Sequence, residues 1–350
     1  MPDEVLSLFS DTGTRPTAAM RAAMAAADVG DEQEGQDPTV NRLQERVAGL
    51  LGKEAALWFP SGTMCNLVAV KVHTRPGDVV IAEALAHIVR AESGGAALAS
   101  GVLVEPIPTA RGIFTADELE AAFARAHTVP APWGPPVGLV CVEQTHNLGG
   151  GSVWSLDALD AVAACAARHG APVHMGGARL LNASVASGVP AAAFAAHVDS
   201  VWLDFTKGLG APIGAVLAGS GEFLARARRY KQLFGGGMRQ AGIAAAGCLH
   251  ALDHHVERLA EDHALARRLA RGLGQIAGIR LRTPDPETNI VFFDAGGLGL
   301  GTTQMVERLA ASGVRVSAIG GWIRAVTHLD VAEAGIDRVI SAVREIARSC

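Results

Sequence analysis

One lysine in the middle of the chain lies in a setting that suits covalent chemistry. Lys207 follows an apolar run at 199–205 and precedes Gly208, Gly210 and Pro212, so it occupies a turn too tight for a helix. A primary amine held there could attack an aldehyde and later act as a base. Because most lysines are solvated surface groups, this pattern alone leaves a surface lysine and a nucleophile both open.

A run of small residues could bind an anion. An apolar stretch at 55–60 ends in Ser61, Gly62 and Thr63, and residues 64–72 then have the pattern of a helix. The first N–H groups of a helix lack partners within the helix and lie at the positive end of its dipole. The sequence therefore predicts an anion site where this helix begins.

These two candidates occur together with further motifs in a specific order. The motifs are Ser10-Asp11-Thr12, Gly30-Asp31, residues 35–39, His87-Ile88, residues 143–147, residues 235–240 and residues 324–328. In order and spacing they resemble the L-threonine aldolase branch of the β-eliminating lyases, which are fold-type I pyridoxal 5'-phosphate enzymes. The resemblance covers almost the whole chain. It implies an aldehyde-lyase that cleaves a β-hydroxy-α-amino acid, such as L-threonine or L-allo-threonine, into glycine and an aldehyde.

The resemblance assigns residues to the cofactor. It implies that Lys207 binds pyridoxal phosphate covalently and that His87 stacks on the pyridine ring. The other residues placed at the cofactor are Ser61, Gly62, Thr63, Met64, Glu143, Gly176, Arg179, Thr206 and Arg239. A histidine packed at the end of a strand is the alternative for His87.

The resemblance also assigns residues to the substrate. It implies that Arg179 and Arg324 grip the substrate carboxylate together with Ser10, since a planar guanidinium suits a carboxylate. Structural ion pairs are the alternative for both arginines. His146 matches a position near the substrate hydroxyl, where it could take the proton that starts Cα–Cβ cleavage if it lies within hydrogen-bond reach.

Two positions depart from the family pattern. Residues 174–179 match the family motif, but Gly176 stands where the family has the aspartate that pairs with the pyridine nitrogen. Loss of this charge-assisted hydrogen bond removes about 1.5–3 kcal/mol of stabilisation from the protonated pyridine nitrogen. Asp204 is a second acid in the region, but we expect it to face elsewhere because it is so close to Lys207 in the chain. Glu34 replaces a family tyrosine near the substrate side chain, which favours a polar or cationic substrate portion or merely a solvated acid.

The missing carboxylate keeps other functions open. One alternative is a pyridoxal phosphate lyase or racemase, which would start from Cα–H cleavage by the Lys207 amine. Another is a protein that still binds the cofactor but has lost turnover. Glycine and an aldehyde as products would distinguish the aldolase from both.

The glycine run at 235–237 is associated with subunit contacts in the family. By resemblance, Arg239 and Lys231, which follows Tyr230, reach the phosphate of a neighbouring subunit. We therefore expect a homodimer or a homotetramer.

The elements that must position these residues alternate between strands and helices. Strand-like runs at 79–81, 102–107, 138–143, 172–175 and 200–205 are separated by alanine-rich helical stretches, which predicts a mainly parallel sheet. A long helical region at 242–276 then precedes short strands and two helices. We predict a fold-type I large α/β domain at 16–246, similar to aspartate aminotransferase, and a small α+β domain formed by 1–15 and 247–350.

Composition and charge exclude several classes of protein. The 350 residues are 49% hydrophobic and 19% charged with 41 glycines, which is typical of an α/β enzyme. A net charge of -5 indicates neither a nucleic acid nor a membrane partner. The five cysteines are odd in number and scattered, so we expect reduced thiols, no metal site and a cytoplasmic protein.

Overall fold

The computed structural model describes residues 5–350, in which strands and helices alternate along most of the chain. The strands are β1 (Leu6–Ser7), β2 (Ala55–Phe59), β3 (Val79–Glu83), β4 (Leu103–Ile107), β5 (Val137–Glu143), β6 (Val173–Gly177), β7 (Ser200–Asp204), β8 (Ala215–Gly219), β9 (Arg280–Leu281), β10 (Ile290–Asp294), β11 (Val314–Arg315), β12 (Ser317–Ile319) and β13 (Trp322–Val326). The helices are α1 (Ala18–Ala25), α2 (Pro38–Leu51), α3 (Gly62–His73), α4 (His87–Arg90), α5 (Gly95–Ser100), α6 (Ala116–Ala126), α7 (Leu156–Arg168), α8 (Leu180–Ser187), α9 (Ala191–Ala195), α10 (Gly221–Leu233), α11 (Gly242–His254), α12 (Leu259–Gly274), α13 (Thr302–Ala311) and α14 (Glu333–Arg348). Short 3₁₀ turns lie at Asp11–Gly13 and Gly296–Leu298.

A seven-stranded sheet organises the larger part of the molecule. Its order is β2-β8-β7-β6-β5-β3-β4, and only β8 runs antiparallel to its neighbours β2 and β7. The remaining pairs are parallel, which confirms the predicted sheet type. Strands β6 and β7 are buried along their whole length, as expected where helices cover both faces. The carboxyl ends of β5, β6 and β7 meet at one edge, where ligands of such sheets bind.

Helix α3 begins beside that edge. Ser61 caps it, because its hydroxyl accepts a hydrogen bond from the Met64 N–H at 3.3 Å. The first helical residue has to be a glycine, since a Cβ atom at Gly62 would lie 2.3 Å from the ring of Trp202 on β7. The predicted junction of strand, turn and helix is thus present.

A smaller sheet lies in the C-terminal part of the chain. Its order is β12-β13-β10-β9, and all of its pairs are antiparallel. The helices α12 and α14 pack with it around a second apolar core that also contains Leu8. The division into 16–246 and 1–15 with 247–350, of which residues 1–4 lie outside the described part, stays a prediction, and Cys248, Leu249 and Leu259 pack in the core of the larger sheet. No helix in the described chain combines the length and apolarity needed to cross a bilayer.

The helical region predicted at 242–276 is present, divided into two helices. The chain forms α11 and α12 with an interruption at 255–258. The interruption contains neither glycine nor proline, and a tertiary contact accompanies it: His255 Nδ1 lies 2.7 Å from the Leu209 carbonyl oxygen. Strand β8 and helix α10 lie in a part of the sequence where no element was predicted.

Candidate active site

A cavity of about 550 Å³ lies at the carboxyl ends of the central strands. It brings together most of the residues that the sequence placed at cofactor and substrate. The predicted residues that line it are Ser10, Ser61, Gly62, Thr63, His87, Glu143, Gly176, Arg179, Thr206, Lys207 and Arg324. Met64, His146, Arg239 and Glu34 are not part of its wall.

The amine of Lys207 faces a buried carboxylate. Lys207 Nζ contacts Asp204 Oδ2, and the Asp204 side chain is 1% exposed. The other oxygen of Asp204 accepts hydrogen bonds from the Thr206 N–H at 3.2 Å and the Thr206 hydroxyl at 2.9 Å. The expectation that Asp204 faces elsewhere is wrong, because the turn after β7 folds the lysine back onto it. The hydroxyl of Thr206 therefore donates to Asp204.

The start of α3 forms the opposite, anion-binding part of the wall. Gly62 and Thr63 occupy the first helical positions, whose N–H groups have no partner within the helix. The Met64 N–H is already bonded to Ser61. The donors left for an anion are therefore those of Gly62 and Thr63, rather than that of Met64.

Two glutamates hold His87. Glu143 Oε2 accepts from the His87 backbone N–H at 2.6 Å, while its Oε1 accepts from the Asn147 N–H at 2.8 Å. The ring nitrogen Nδ1 of His87 lies 2.8 Å from Oε1 of Glu92, whose side chain is 3% exposed. The ring is thereby fixed at the cavity wall by Glu92, a residue that the sequence analysis did not identify.

His146 lies outside the cavity wall and is almost fully buried. Its Nδ1 accepts from the Gly149 N–H at 2.9 Å, and its Nε2 forms an ion pair with Glu83 Oε2 at 3.0 Å. Burial alone would lower the pKa of His146, but the carboxylates of Glu143 and Glu83 outweigh it and raise that pKa. Since His146 does not line the cavity, the structure does not bring it to the substrate position that the resemblance implied.

Arg179 is bound within its own chain. Its Nε and Nη2 donate to the two oxygens of Asp11 at 2.7 and 2.6 Å, and Asn289 Nδ2 donates to Asp11 at 3.0 Å. Burial raises the pKa of Asp11, but Arg179 outweighs burial and holds it well below its usual range. The structural ion pair that the sequence left open is therefore present, although Arg179 still lines the cavity.

Arg324 is the second arginine of the wall, and its contacts are neutral. It donates to Asn147 Oδ1 at 2.9 Å, to the Phe9 carbonyl at 3.1 Å and to Ser317 Oγ at 3.3 Å. Burial and the nearby Arg179 lower the pKa of Arg324 to about 10. Because none of its contacts within residues 5–350 is a carboxylate, an incoming carboxylate would supply the missing negative charge.

Gly176 leaves room where the family has a side chain. A Cβ atom there would lie 3.7 Å from Trp202 Nε1 and from the Val142 carbonyl, and 3.8 Å from Asn66 Oδ1. These are ordinary van der Waals distances, so a Cβ atom fits at this position. Asn66 joins this position to the rest of the wall, since it accepts from Trp202 Nε1 at 2.6 Å and donates to Glu92 at 2.6 Å.

Three predicted residues are remote from this cavity within one chain. Arg239 is exposed and pairs with Asp31 at 2.9 Å, and Glu34 is exposed as well. Lys231 is 1% exposed and contacts Glu32 of its own chain. The expectation that Lys231 reaches a neighbouring phosphate stays a prediction, although within one chain its amine contacts Glu32.

Asp11, Asn66, Glu92, Trp202 and Asp204 are the site residues whose roles the sequence analysis missed. Each lies a few residues from a predicted one, so proximity in sequence was the available signal. Proximity in sequence did not indicate which way these side chains point.

Comparison with known proteins places this site in a family. A family model described as beta-eliminating lyase matches residues 7–296. The chain is 38% identical over 345 residues to low-specificity L-threonine aldolase 1 of Arabidopsis thaliana, covering 97% of this chain and 96% of that protein. It is 37% identical over 335 residues to the low specificity L-threonine aldolase of Escherichia coli K12, covering 93% and 95%. A solved structure of Leishmania major threonine aldolase superposes with a TM-score of 0.82 at 23% identity, covering 98% and 99%.

The pKa of His146 provides a test of its contact with Glu83. We predict that Glu83→Gln lowers the pKa of His146, because one of the two carboxylates that raise it is lost. The native pair adds stability below the unfolded value of 6.5, and that contribution disappears as pH rises through the higher folded pKa. The measurement is NMR titration of the His146 Cε1–H resonance. Glu105→Gln, which breaks a surface pair with Arg125, is the control. A titration that Glu83→Gln leaves unchanged would contradict this account.

Proposed function

The chain belongs to the β-eliminating lyase family, and we propose that it is a pyridoxal phosphate-dependent aldolase that cleaves threonine-type β-hydroxy-α-amino acids into glycine and an aldehyde. The observation that carries the proposal is the cavity itself. It combines the amine of Lys207, the anion-binding start of α3 and the guanidinium of Arg324, which within residues 5–350 donates to no carboxylate. An amino acid substrate and a phosphorylated aldehyde cofactor need these three groups.

The residues present fit pyridoxal phosphate at all but one position. Gly62 and Thr63 offer backbone donors at a helix N-terminus, where a phosphate is stabilised. The ring of His87 and the indole of Trp202 line the space between the phosphate end and Lys207. The exception is Gly176, which offers no acid to the ring nitrogen. When bound, the cofactor withdraws electrons from the substrate Cα and so lets a bond at that carbon break.

The first proton transfer takes place between the Lys207 amine and the Asp204 carboxylate. Lys207 is the residue that would bind the cofactor covalently, and Asp204 Oδ2, which contacts its amine, would accept the proton that the amine releases. The carboxylate also fixes the lysine at the carboxyl end of β7, since Thr206 in turn holds the carboxylate.

Arg324 and Ser10 orient the substrate. Arg324 binds the substrate carboxylate, while Arg179 contributes positive charge from behind its pair with Asp11. Fixing the carboxylate decides which bond at Cα can break. His87, held by Glu92, takes the proton of the substrate hydroxyl, because it lines the cavity and His146 does not. His146 supports the wall through Glu83.

We also propose the assembly and location that the sequence suggested. Arg239 lies outside the cavity of its own chain and is available to a neighbouring subunit, which supports a homodimer or a homotetramer with phosphate contacts across subunits. The solvent-facing Glu34 fits a position that a second subunit would bring to the substrate. All five cysteines are free thiols, which supports a reducing, cytoplasmic environment.

The activity has a direct test. We expect the purified protein with pyridoxal phosphate to release glycine and acetaldehyde from L-threonine or L-allo-threonine, measured with a coupled aldehyde reductase. Lys207→Ala should abolish the release. Ammonia with a keto acid, or an inverted amino acid, in place of acetaldehyde would instead indicate Cα–H cleavage.

The missing acid gives a gain-of-function prediction. Gly176→Asp should fit without displacing neighbours and raise kcat for threonine cleavage by about tenfold or more, since a charge-assisted hydrogen bond adds about 1.5–3 kcal/mol. Gly176→Asn, which has nearly the same shape without the charge, is the matched control. Equal rates for the two variants would show that the ring nitrogen does not need the acid in this protein.

Arg239 tests the assembly. Arg239 does not line the cavity of its own chain. If a neighbouring subunit uses it, as proposed, Arg239→Gln should weaken the binding of pyridoxal phosphate by about tenfold. Fluorescence titration with the cofactor and light scattering measure affinity and mass together. Arg125→Gln, another surface arginine in an ion pair, should change neither. Unchanged affinity in Arg239→Gln, or a monomer of full affinity, would refute the proposed contact.

A further inference from the structure

Three side chains with metal-binding atoms meet on the outer helices, away from the cavity. They are Glu120 on α6, Cys165 on α7 and His169 directly after α7. Their ligand atoms all lie within 4.8 Å of one another, and none of the three lines the cavity. The sequence analysis found no metal spacing because Glu120 comes from another helix, although Cys165 and His169 are separated by one helical turn.

The separations match those of zinc ligands. Zinc bonds of about 2.3 Å to sulfur and about 2.0–2.1 Å to nitrogen or oxygen imply ligand-to-ligand distances of about 3.3–3.6 Å in a tetrahedron. Cys165 Sγ is 3.4 Å from Glu120 Oε2, and His169 Nε2 is 2.8 Å from Glu120 Oε1. Shifts of about an ångström in exposed side chains would complete the geometry.

Packing holds two of the three ligands in place. Cys165 is fully buried, so the backbone of α7 fixes its sulfur. The ring of His169 stacks on Phe123, with centroids 3.9 Å apart and planes 8° from parallel. The Glu120 side chain is 49% exposed and can adjust to an ion. One thiolate, one imidazole and one carboxylate are a ligand set that zinc prefers over magnesium or calcium.

We propose that Glu120, Cys165 and His169 form a zinc site that links α6 to α7, with water as the fourth ligand. The ion would join two helices that otherwise contact each other through apolar packing and the Glu120 side chain. Since the ligands lie outside the cavity, zinc acts on the stability of this outer layer and not on the reaction. The proposal is therefore independent of the proposed function.

Two competitors have to be displaced. Arg168 Nη2 lies 3.1 Å from Glu120 Oε2 and occupies the carboxylate in the absence of an ion. The thiol must also lose its proton to solvent, and burial together with the Glu120 carboxylate raises the pKa of Cys165 to about 11. The charged groups facing the thiol are Glu120 and Asp117 on α6 and Arg168 on α7, beside His169.

The test uses the full-length holoenzyme freed of excess cofactor. Isothermal titration with Zn²⁺ should show one saturable site, and X-ray absorption at the zinc edge should show one sulfur at about 2.3 Å. Cys165→Ser and Glu120→Gln should each weaken binding by at least about tenfold. Arg168→Gln should tighten it, because the competing cation is gone.

Controls separate this site from chance binding. Cys350→Ser removes an exposed thiol elsewhere and should leave zinc affinity and the sulfur signal unchanged. Glu120→Gln replaces an exposed side chain, so it keeps the test valid even if Cys165→Ser does not fold. Threonine cleavage should be the same in all of these variants. Absence of saturable binding, a zinc ion without sulfur, or equal affinity in wild type and Glu120→Gln would overturn the proposal.

Discussion

The buried ion pair between Asp11 and Arg179 is the interaction on which the site depends. Asp11 belongs to the N-terminal segment, and Arg179 follows β6 at the carboxyl edge of the large sheet. Asn289, just before β10 of the small sheet, bonds to the same carboxylate. Removing either charge would leave the other buried and unpaired, at a cost of about 3–5 kcal/mol. One pair therefore ties three distant parts of the chain around the cavity.

The pair also decides how positive charge is divided in the cavity. Arg179 is neutralised by Asp11, whereas the hydrogen bonds that Arg324 makes in the described part of the chain go to amide, carbonyl and hydroxyl oxygens. Burial and the nearness of Arg179 make the charged form of Arg324 costly, as its pKa of about 10 shows. In the proposed aldolase, a substrate carboxylate would relieve that cost, and this contribution to affinity would be absent if Arg324 were paired with an acid as Arg179 is.

The sequence was sufficient for the sheet and for the position of the site, but not for the partners of its side chains. The parallel strands and the start of α3 were predictable because apolar runs and a capping serine are local signals. The pairing of Arg179 with Asp11 spans 168 positions, and no local pattern encodes it. The surroundings of His146 were not predictable for a similar reason, since Glu83, which lies against its ring, comes from a strand distant in the sequence. Asp204 was misplaced because the turn at Lys207 reverses the chain within three residues.

The acidic residues of the cavity indicate which reaction is least affected by the absence of a carboxylate at Gly176. Glu143 is committed to two backbone N–H groups, Glu92 to His87 and Asn66, and Asp204 to Lys207. Negative charge thus lies beside Lys207 and His87. The position beside Gly176 instead faces the indole N–H of Trp202 and the side-chain amide of Asn66. A weaker electron sink penalises every bond broken at Cα. Cleavage of Cα–Cβ, however, is also driven by removal of the hydroxyl proton as the aldehyde forms, and a histidine held by Glu92 can supply that drive. Racemisation moves only the Cα proton and makes no use of a base for a hydroxyl group, so the position of His87 in the cavity fits the proposed aldol reaction better than racemisation.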